Sequence, residues 1–377
     1  MTPLIIDTET DIYNNGHPFD KRNNLVCASW YYNNGPNAER WDDQLASKLQ
    51  SFVGACDLLV GFNFKFDYHW LHNNGLVLAE KRIWDCQLAH YILTHQQHIF
   101  PSMNEVAEYY SLPTKLDVVK LEYWEKDITT SQIPWDILRE YAAWDAELTY
   151  LIFQRQWSAA TQKQKALIFL VGSDMHVLRE MECEGIRFDE ELCNKRAQEI
   201  DDQIRKVTEE LRGIYPNVPI NFASNDHLSA FLYGGCVEEV KKVHDGFYKT
   251  GQRAGQIKLK NEIVTHKLPQ LYKPVRGSEL KKEGYYATNE PTLRQLRGNP
   301  KIINKILELA KLEKMNGTYY LGLPKLRKTM GWDEGILHGQ FNQCQTATGR
   351  LSSSKPNLQN FGSELQDIFV SNYNNNE

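Results

Sequence analysis

The stretch LIIDTETD, residues 4–11, places an apolar run directly in front of three acidic side chains. Side chains two positions apart on a strand share a face, so Asp7 and Glu9 repel each other unless a cation lies between them. Carboxylate oxygens at a strand end suit Mg²⁺ or Mn²⁺, which prefer oxygen ligands. For an isolated Asp-x-Glu, a polar turn after a first strand is the better interpretation, so a metal site requires further carboxylates.

Strand and helix patterns alternate through the first 160 residues, as in α/β domains. Apolar segments that predict strands are PLIID, LVCASWYY, AERW and DLLVGF. Helical patterns cover DDQLASKLQSFV and the ranges 65–74, 85–95, 102–110 and 134–155. We therefore predict an α/β layout on a sheet that starts at the first residues.

From residue 161 the pattern changes to long helices. Two helical runs end at Gly185 and Gly213, and glycine commonly follows a helix C-terminus. Further helices are predicted at about 224–233, 289–297 and 299–315, with a turn near GWDEG and extended structure or loop after it. The segment 241–283 lacks a clear period and contains several Gly and Pro, so we predict an exposed arm or loops there.

Charge is divided unevenly along the chain. The 377 residues, 41% hydrophobic, can bury a sizeable core in two or three domains, and their formal net charge is −5. Residues 1–155 carry 12 Lys and Arg against 21 Asp and Glu, whereas residues 241–283 carry 11 against 4. One part could therefore hold metal ions while another contacts phosphates.

The cysteines and the apolar runs indicate where the protein works. The seven cysteines form no Cys-x-x-Cys pair and no Cys/His finger spacing, which predicts reduced thiols in a cytosolic setting. The densest apolar run, ALIFLV at 166–171, is too short to span a bilayer. We expect an unexported protein without a membrane partner, located in the cytoplasm.

Further carboxylates occur in two later motifs. Asp67 follows Asn63 in GFNFKFDYHWL, at the start of a predicted helix, and Asp145 follows Tyr141 in YAAWDAELTYL, on one helix face. Each motif alone is common in turns or on helix surfaces. In the order Asp-x-Glu, Asn-x-x-x-Asp, Tyr-x-x-x-Asp, the sequence resembles the tyrosine subclass of the DEDD 3′→5′ exonucleases.

This resemblance implies phosphodiester hydrolysis assisted by two metal ions. Asp7, Glu9, Asp67 and Asp145 would hold two divalent ions, Mg²⁺ or Mn²⁺, about 3.5–4 Å apart, directly or through water. Asp7 is the best candidate to bridge both ions, and the Tyr141 hydroxyl would orient the attacking water.

The same resemblance gives weaker expectations for three other residues. Thr8 and Asn63 are candidates for contacting the terminal nucleotide. Asp85 in IWDCQLAHYIL also matches the family. Because Asp85 begins a predicted helix after an apolar strand, we expect it to be an N-cap rather than a metal ligand.

The segment QTATGRLSSSKPNLQN, residues 345–360, closely matches the T-x-T-G-R-L-S-S-x-x-P-N-L-Q-N motif of the family A DNA polymerases. The similarity extends back through ATNEPTLRQL, ILELAKLEKMNGTYY and REMECEGIRFD. It implies a ribonuclease-H-like α/β exonuclease domain with a mixed sheet at 1–160, a mostly helical thumb at 161–335, and the incomplete first strands of a palm at 336–377. The expected function is proofreading during DNA replication.

The chemistry of the 345–360 segment suits contact with primer-template DNA. The planar guanidinium of Arg350 could reach minor-groove acceptors, which occupy similar places in all base pairs. Gln343, Gln359 and Asn360 could add amide contacts. Thr348, Ser352, Ser353 and Ser354 could contact phosphates or order the loop. A Ser- and Asn-rich surface loop is the alternative, and it fits this ordered string poorly.

The basic segment 241–283 fits a thumb tip that lies along DNA and makes salt-sensitive phosphate contacts. Its candidate DNA-binding residues, interleaved with Tyr248 and Tyr272, are Lys249, Arg253, Lys258 and Lys260. A solvated loop is the alternative.

Two departures from the polymerase pattern affect the expected activity. Phe361-Gly362 replaces the usual Ile-Pro after LQN, and the sequence stops before the first palm metal aspartate of the family. Polymerisation needs that second carboxylate set, so we expect a separate palm and fingers chain as a partner, beside DNA with a single-stranded 3′ end. The alternatives are a stand-alone 3′→5′ exonuclease and a non-catalytic DNA clamp or assembly subunit.

Overall fold

The computed structural model describes residues 2–33, 35–78, 81–247, 249–250, 252 and 256–371. Two of the residues singled out in the basic segment, Tyr248 and Arg253, lie outside these ranges. The chain forms two compact units, Met1–Glu190 with Leu323–Glu377, and Glu191–Gly322. The limits of these compact units differ from the predicted domain boundaries at 160 and 335. The division into exonuclease domain, thumb and palm stays a prediction.

The first unit is built on a five-stranded sheet. Its strands are β1 (Pro3–Thr10), β2 (Leu25–Tyr31), β3 (Pro36–Arg40), β4 (Leu58–Gly61) and β5 (Arg82–Asp85). Their order is β3-β2-β1-β4-β5, with β1–β2 and β2–β3 antiparallel and β1–β4 and β4–β5 parallel. This mixed sheet confirms the predicted α/β fold, and it places the LIIDTETD strand at the centre.

Helices alternate with these strands and continue after them. They are α1 (Asp43–Ala55), α2 (Phe64–Asn73), α3 (Cys86–Leu93), α4 (Met103–Tyr109), α5 (Val118–Glu122), α6 (Trp135–Ala159) and α7 (Gln162–Glu184). Capping boxes at Ser102–Glu105 and Thr161–Gln164 start α4 and α7. Short 3₁₀ turns cover Trp124–Lys126 and Thr130–Gln132. The predicted helices in this region are confirmed to within a few residues.

The core of the first unit lies between the sheet and its helices. Leu4, Ile5 and Ile6 of β1 are fully buried in one cluster with β4 and several helices. A Cβ at Gly172 of α7 would lie only 2.6 Å from the Ile83 carbonyl oxygen, so glycine lets α7 approach β5 closely. Burial of the β1 side chains fixes the register that puts Asp7 and Glu9 at the end of a rigid central strand.

The second unit is mostly helical but carries a long β-hairpin. After β6 (Ile186–Arg187), its elements are α8 (Glu190–Arg212), α9 (Asn225–Tyr233), β7 (Gly235–Phe247), β8 (Ile257–Leu268), α10 (Glu290–Leu293), α11 (Pro300–Lys314) and a π-helix, Met315–Tyr320. Its core includes Leu211, Phe231 and Leu309. The helices at 224–233 and 299–315 are confirmed, whereas the predicted helix at 289–297 is only one short turn.

The basic segment corrects one prediction. Where we predicted an exposed arm or loops, β7 and β8 pair antiparallel from Gly235 opposite Leu268 to Phe247 opposite Ile257. The arm is exposed, but most of its first half is regular strand. Both faces of the hairpin meet solvent, so no alternation of apolar and polar residues marks it in the sequence.

The chain returns to the first unit through α12 (Gly322–Met330). There β9 (Ile336–Leu337) pairs with β6, and β10 (Gln340–Asn342) pairs with β11 (Ser352–Ser354). Short 3₁₀ turns follow at Leu358–Asn360 and Ser363–Ile368. Within the described residues, no helix combines the length and apolarity that crossing a bilayer requires.

Candidate active site

Three carboxylates from distant parts of the sequence meet at the central strand. Asp7 and Glu9 project from β1, and Asp145 projects from α6, which packs across β1 and β2. One carboxylate oxygen from each residue lies within 4.8 Å of one from the other two. Asp7 is partly exposed, and Glu9 and Asp145 are buried, so a small cation could reach a cluster of hard oxygen donors.

Asp67, the fourth predicted ligand, lies in the first turn of α2 and is buried next to this cluster. Its Oδ1 accepts hydrogen bonds from the Thr8 backbone N–H at 2.9 Å and from the Thr8 hydroxyl at 2.6 Å. Thr8 therefore fixes the orientation of Asp67. The predicted metal contact of Asp67 and the predicted nucleotide contact of Thr8 remain untested.

Asp85 has the structural role expected for it. Its carboxylate accepts from the N–H groups of Gln87 at 2.8 Å and Leu88 at 3.1 Å, which caps α3. It also accepts from Phe64 at 2.8 Å and, more weakly, from Asn63 at 3.3 Å, so one carboxylate fixes the starts of two helices. Asn63 itself is exposed in a left-handed conformation, with φ of 55°, directly before α2.

Tyr141 lies one helical turn before Asp145 on α6 and is buried. Burial first, and the charges of Glu9 and Asp145 second, raise the pKa of its hydroxyl above the usual value. The hydroxyl therefore keeps its proton at neutral pH, so it can donate a hydrogen bond but cannot act as a base.

Burial, together with the charges of neighbouring acids for three of the four, raises the pKa values of the clustered carboxylates. Burial, followed by the charge of Asp145, raises the pKa of Asp7 to about 7, against a partial lowering by Lys115. Burial first and the charge of Asp7 second raise the pKa values of Glu9 and Asp67 well above their ordinary range. Burial also raises the pKa of Asp145. The cluster therefore resists full ionisation, and a divalent ion would offset the repulsion among its charges.

Lys115 is a charged neighbour of this cluster that sequence reasoning missed. Its ammonium group forms an ion pair with Asp145 Oδ2 and lies 5.1 Å from the centre of the Tyr141 ring. Burial alone would lower the pKa of Lys115, but Asp145, Tyr141 and the other acids raise it well above its usual value. Lys115 lies thirty residues before Asp145 in an irregular segment and belongs to no motif. Its position beside the carboxylates therefore depends on the tertiary fold.

A pocket of about 500 Å³ opens beside the carboxylates. The residues that line it include Thr8, Glu9, Phe66 and Trp124. Both aromatic residues are partly exposed. Sequence reasoning assigned neither ring to a site, because single aromatic residues are mostly core residues by default.

The 345–360 segment contains β11, which pairs with β10. Arg350, Thr348, Gln359 and Asn360 are exposed, whereas Ser353 is buried. The Ser353 hydroxyl donates to the Pro356 carbonyl at 3.3 Å and accepts from the Leu358 N–H at 3.2 Å, so it orders the loop.

Other side chains of this segment also bond within the unit. Gln343 Nε2 donates to the Val171 carbonyl at 2.8 Å, and the Ser352 hydroxyl donates to Gln345 Oε1 at 2.9 Å. Gln359 Nε2 donates to the Leu351 carbonyl at 3.2 Å. The bond of Ser352 supports its role in ordering the loop. DNA contact by Gln343, Ser352 and Gln359 stays a prediction.

The candidate lysines of the basic segment differ in their surroundings. Lys258 forms an ion pair with Asp245 at 2.8 Å, and on the same hairpin Lys241 pairs with Glu239 at 3.2 Å. Lys249 and Lys260 are exposed. The charge of Lys258 is therefore partly neutralised within the hairpin, which weakens it as a phosphate contact.

Two segments match known families. Residues 40–159 match the family model described as 3′-5′ exonuclease, and residues 261–375 match the model described as DNA polymerase family A. The POL domain of Pol1 from M. smegmatis, in complex with DNA primer-template and dNTP, shares the fold. Its TM-score is 0.68 over 98% of this chain and 55% of that chain, at 18% identity.

Relatives in several organisms agree with these matches. DNA polymerase I of Synechocystis sp. is 26% identical over 305 residues, 79% of this chain and 26% of that protein. The thermostable DNA polymerase I of Thermus caldophilus is 33% identical over 200 residues, 52% of this chain and 19% of the relative. The DNA polymerase of Bacillus phage SP01 is 23% identical over 331 residues, 84% of this chain and 35% of the relative. The chain thus spans between 19% and 35% of these proteins, and the matches confirm the resemblance read from the sequence.

Proposed function

We propose, from the premise that the chain carries the exonuclease and polymerase segments of a family A DNA polymerase, that it removes nucleotides from the 3′ end of a DNA strand during replication. The observation that carries this proposal is the meeting of Asp7, Glu9 and Asp145 within 4.8 Å, with Asp67 hydrogen-bonded to Thr8, the residue between Asp7 and Glu9. Four acids of one cleft repel one another, so their joint presence favours a cation-dependent reaction over a purely structural role.

The donor set suits divalent metal ions. Asp7, Glu9, Asp145 and Asp67 would hold two ions, Mg²⁺ or Mn²⁺, because all their donors are hard carboxylate oxygens. When bound, such ions supply positive charge for the attacking and leaving oxygens of phosphodiester hydrolysis.

The other residues of the cleft position the reactants. Thr8 holds Asp67 through two hydrogen bonds, so Asp67 is preorganised before any ligand arrives. The protonated hydroxyl of Tyr141 would orient the attacking water, since its raised pKa excludes a role as base. Both contributions come from rigid elements, the central strand and α6.

The pocket beside the carboxylates would receive the terminal nucleotide. It has room for one nucleotide, and the rings of Phe66 and Trp124 offer surfaces on which a base can stack without sequence preference. Thr8 and the exposed Asn63 remain candidates for contacting the same nucleotide.

Primer-template DNA is the partner we propose for the polymerase segment, through exposed Arg350 and the basic hairpin. Nucleotide addition would require palm and fingers, which a separate chain could supply. Mixing the two chains and measuring incorporation tests this part. Incorporation would contradict the alternative of a stand-alone nuclease.

The nuclease is tested with 5′-labelled single-stranded DNA and Mg²⁺, with products resolved by length. We expect shortening from the 3′ end, and a rate at least about 100-fold lower for Asp7→Ala and Asp145→Ala. Asp136→Ala is the matched control, because Asp136 is an exposed aspartate on the same helix as Asp145. Intact DNA binding without shortening would contradict the proposal and favour a non-catalytic clamp subunit.

A further inference from the structure

The segment that carries Lys115 has no regular secondary structure, yet two helices hold it in place. The Lys115 backbone N–H donates to Asn104 Oδ1 on α4 at 2.9 Å. Trp144 Nε1 on α6 donates to the Thr114 carbonyl at 2.9 Å. Because Trp144 directly precedes Asp145, the anchor of the lysine backbone and its ionic partner lie on the same turn of α6.

The ammonium group of Lys115 is directed into the carboxylate cluster. It pairs with Asp145 Oδ2, whose side chain is completely buried, while 28% of the lysine side chain remains exposed. It also lies near the face of the Tyr141 ring, a favourable place for a cation. Asp145 Oδ2 therefore has a positively charged partner within the protein itself.

The positive charge of Lys115 affects how the carboxylate cluster binds a metal ion. The cleft contains four carboxylates, and the ammonium group of Lys115 is held against one of them, Asp145. A divalent ion that binds the same carboxylates must approach a fixed positive charge, which opposes its binding. The lysine thus replaces part of a metal ion's charge when the ion is absent, and it repels the ion when the ion arrives.

We propose that Lys115 is the internal counter-ion of the nuclease centre, which neutralises Asp145 in the metal-free chain and competes with the divalent ion that the cluster holds. This inference rests on the proposed function, because it assumes that the cluster binds metal. It assigns Lys115 a positioning role toward Asp145 rather than contact with substrate.

The test compares Lys115→Met, which removes the charge at similar length, with Lys115→Arg, which keeps it. Two quantities are measured without DNA: the unfolding temperature in EDTA, and the Mn²⁺ dissociation constant by calorimetry. We expect Lys115→Met to unfold at a lower temperature in EDTA and to bind Mn²⁺ about tenfold more tightly. Lys115→Arg should resemble the wild type in both.

Lys120→Met is the matched control, because Lys120 is exposed on α5 and the same change there should alter neither quantity. Weaker Mn²⁺ binding by Lys115→Met would overturn the proposal and show that the lysine prepares Asp145 for metal. Unchanged values would also overturn it. A wild-type chain that binds Mn²⁺ but degrades no DNA would contradict the proposed function alone, since neither measurement depends on turnover.

Discussion

At the scale of single residues, ionisation of Asp7 destabilises the folded protein when no metal ion is bound. It lies on the central strand between Glu9, Asp67 and Asp145, and its pKa is raised from 3.8 to about 7. A group with a raised pKa in the folded state binds its proton more tightly there than in the unfolded chain. Its stabilising contribution is complete below about pH 4 and is lost as the pH rises through about 7.

Asp7→Asn should therefore stabilise the metal-free protein in a pH-dependent way. We expect the free energy of unfolding in EDTA to exceed that of the wild type by about 1–3 kcal/mol at pH 8. Near pH 4.5 most of this gain should be absent. Urea denaturation at several pH values measures the difference. A gain of equal size at all pH values, or the same gain for the exposed Asp136→Asn, would contradict this explanation.

The same scale shows which site residues a sequence can reveal. Asp7 and Glu9 follow from strand alternation, and Tyr141 and Asp145 from helical spacing, so local geometry predicts each pair. The approach of the two pairs depends on α6 packing across β1, which the family resemblance implied and local pattern does not. Lys115 depends on a tertiary anchor to Asn104 and on no periodicity, so it could not be predicted.

At the scale of elements, one buried carboxylate connects α7, α2 and β10. Glu182 of α7 forms an ion pair with Lys65 of α2, lies 2.6 Å from His69 Nε2, and accepts from the Phe341 N–H at 2.6 Å. Its side chain is 4% exposed and that of Lys65 is 15% exposed. This network fixes α2, the helix that carries Asp67, against its neighbours.

Glu182→Gln should destabilise the protein substantially, because it leaves the largely buried Lys65 ammonium without its anionic partner. We expect a loss of roughly 3 kcal/mol in the free energy of unfolding, measured by urea denaturation at pH 7.5. Glu180→Gln, an exposed change on the same helix, should cost less than about 0.5 kcal/mol. Equal losses for the two variants would show that the network adds nothing specific.

Elements differ in how well their sequences predict them. The central strand β1 is covered on both faces, so its apolar residues form a continuous run, whereas the buried residues of α6 recur at the helical period. In the β7–β8 hairpin, the paired residues Val240 and Ile263 are 61% and 62% exposed. Backbone pairing rather than burial defines that hairpin, and backbone pairing leaves little trace in composition.

At the scale of the whole molecule, the acidic cluster and the basic hairpin lie in different units. The acidic cluster lies in the first unit, and the basic hairpin lies in the second. Under the proposed function, this division would let a chain with a net charge of −5 present a basic surface to DNA. It also predicts that DNA affinity and nuclease chemistry can be altered separately.

The double variant Lys249→Gln/Lys260→Gln should weaken primer-template binding without affecting the nuclease. Each phosphate contact contributes about 0.9 to the slope of log affinity against log salt concentration, so losing two contacts should lower the slope by nearly 2. Fluorescence anisotropy between 50 and 200 mM NaCl measures the slope over the range that the relation covers. Hydrolysis of a short single-stranded oligonucleotide should keep the wild-type rate, because the acids lie in the other unit.

Lys258→Gln provides the matched control on the same hairpin. Its ammonium group already pairs with Asp245, so removing it eliminates a partly neutralised charge and leaves an unpaired acid in its place. If phosphate contacts by Lys249 and Lys260 carry the binding, the salt slope of this variant should change by clearly less than 1. A slope that falls as much for Lys258→Gln would show that the ion pair with Asp245 does not keep Lys258 from contacting phosphate. A slope that stays constant in the double variant would instead assign Lys249 and Lys260 to solvent and leave Arg350 and its neighbours as the remaining candidates for holding the duplex.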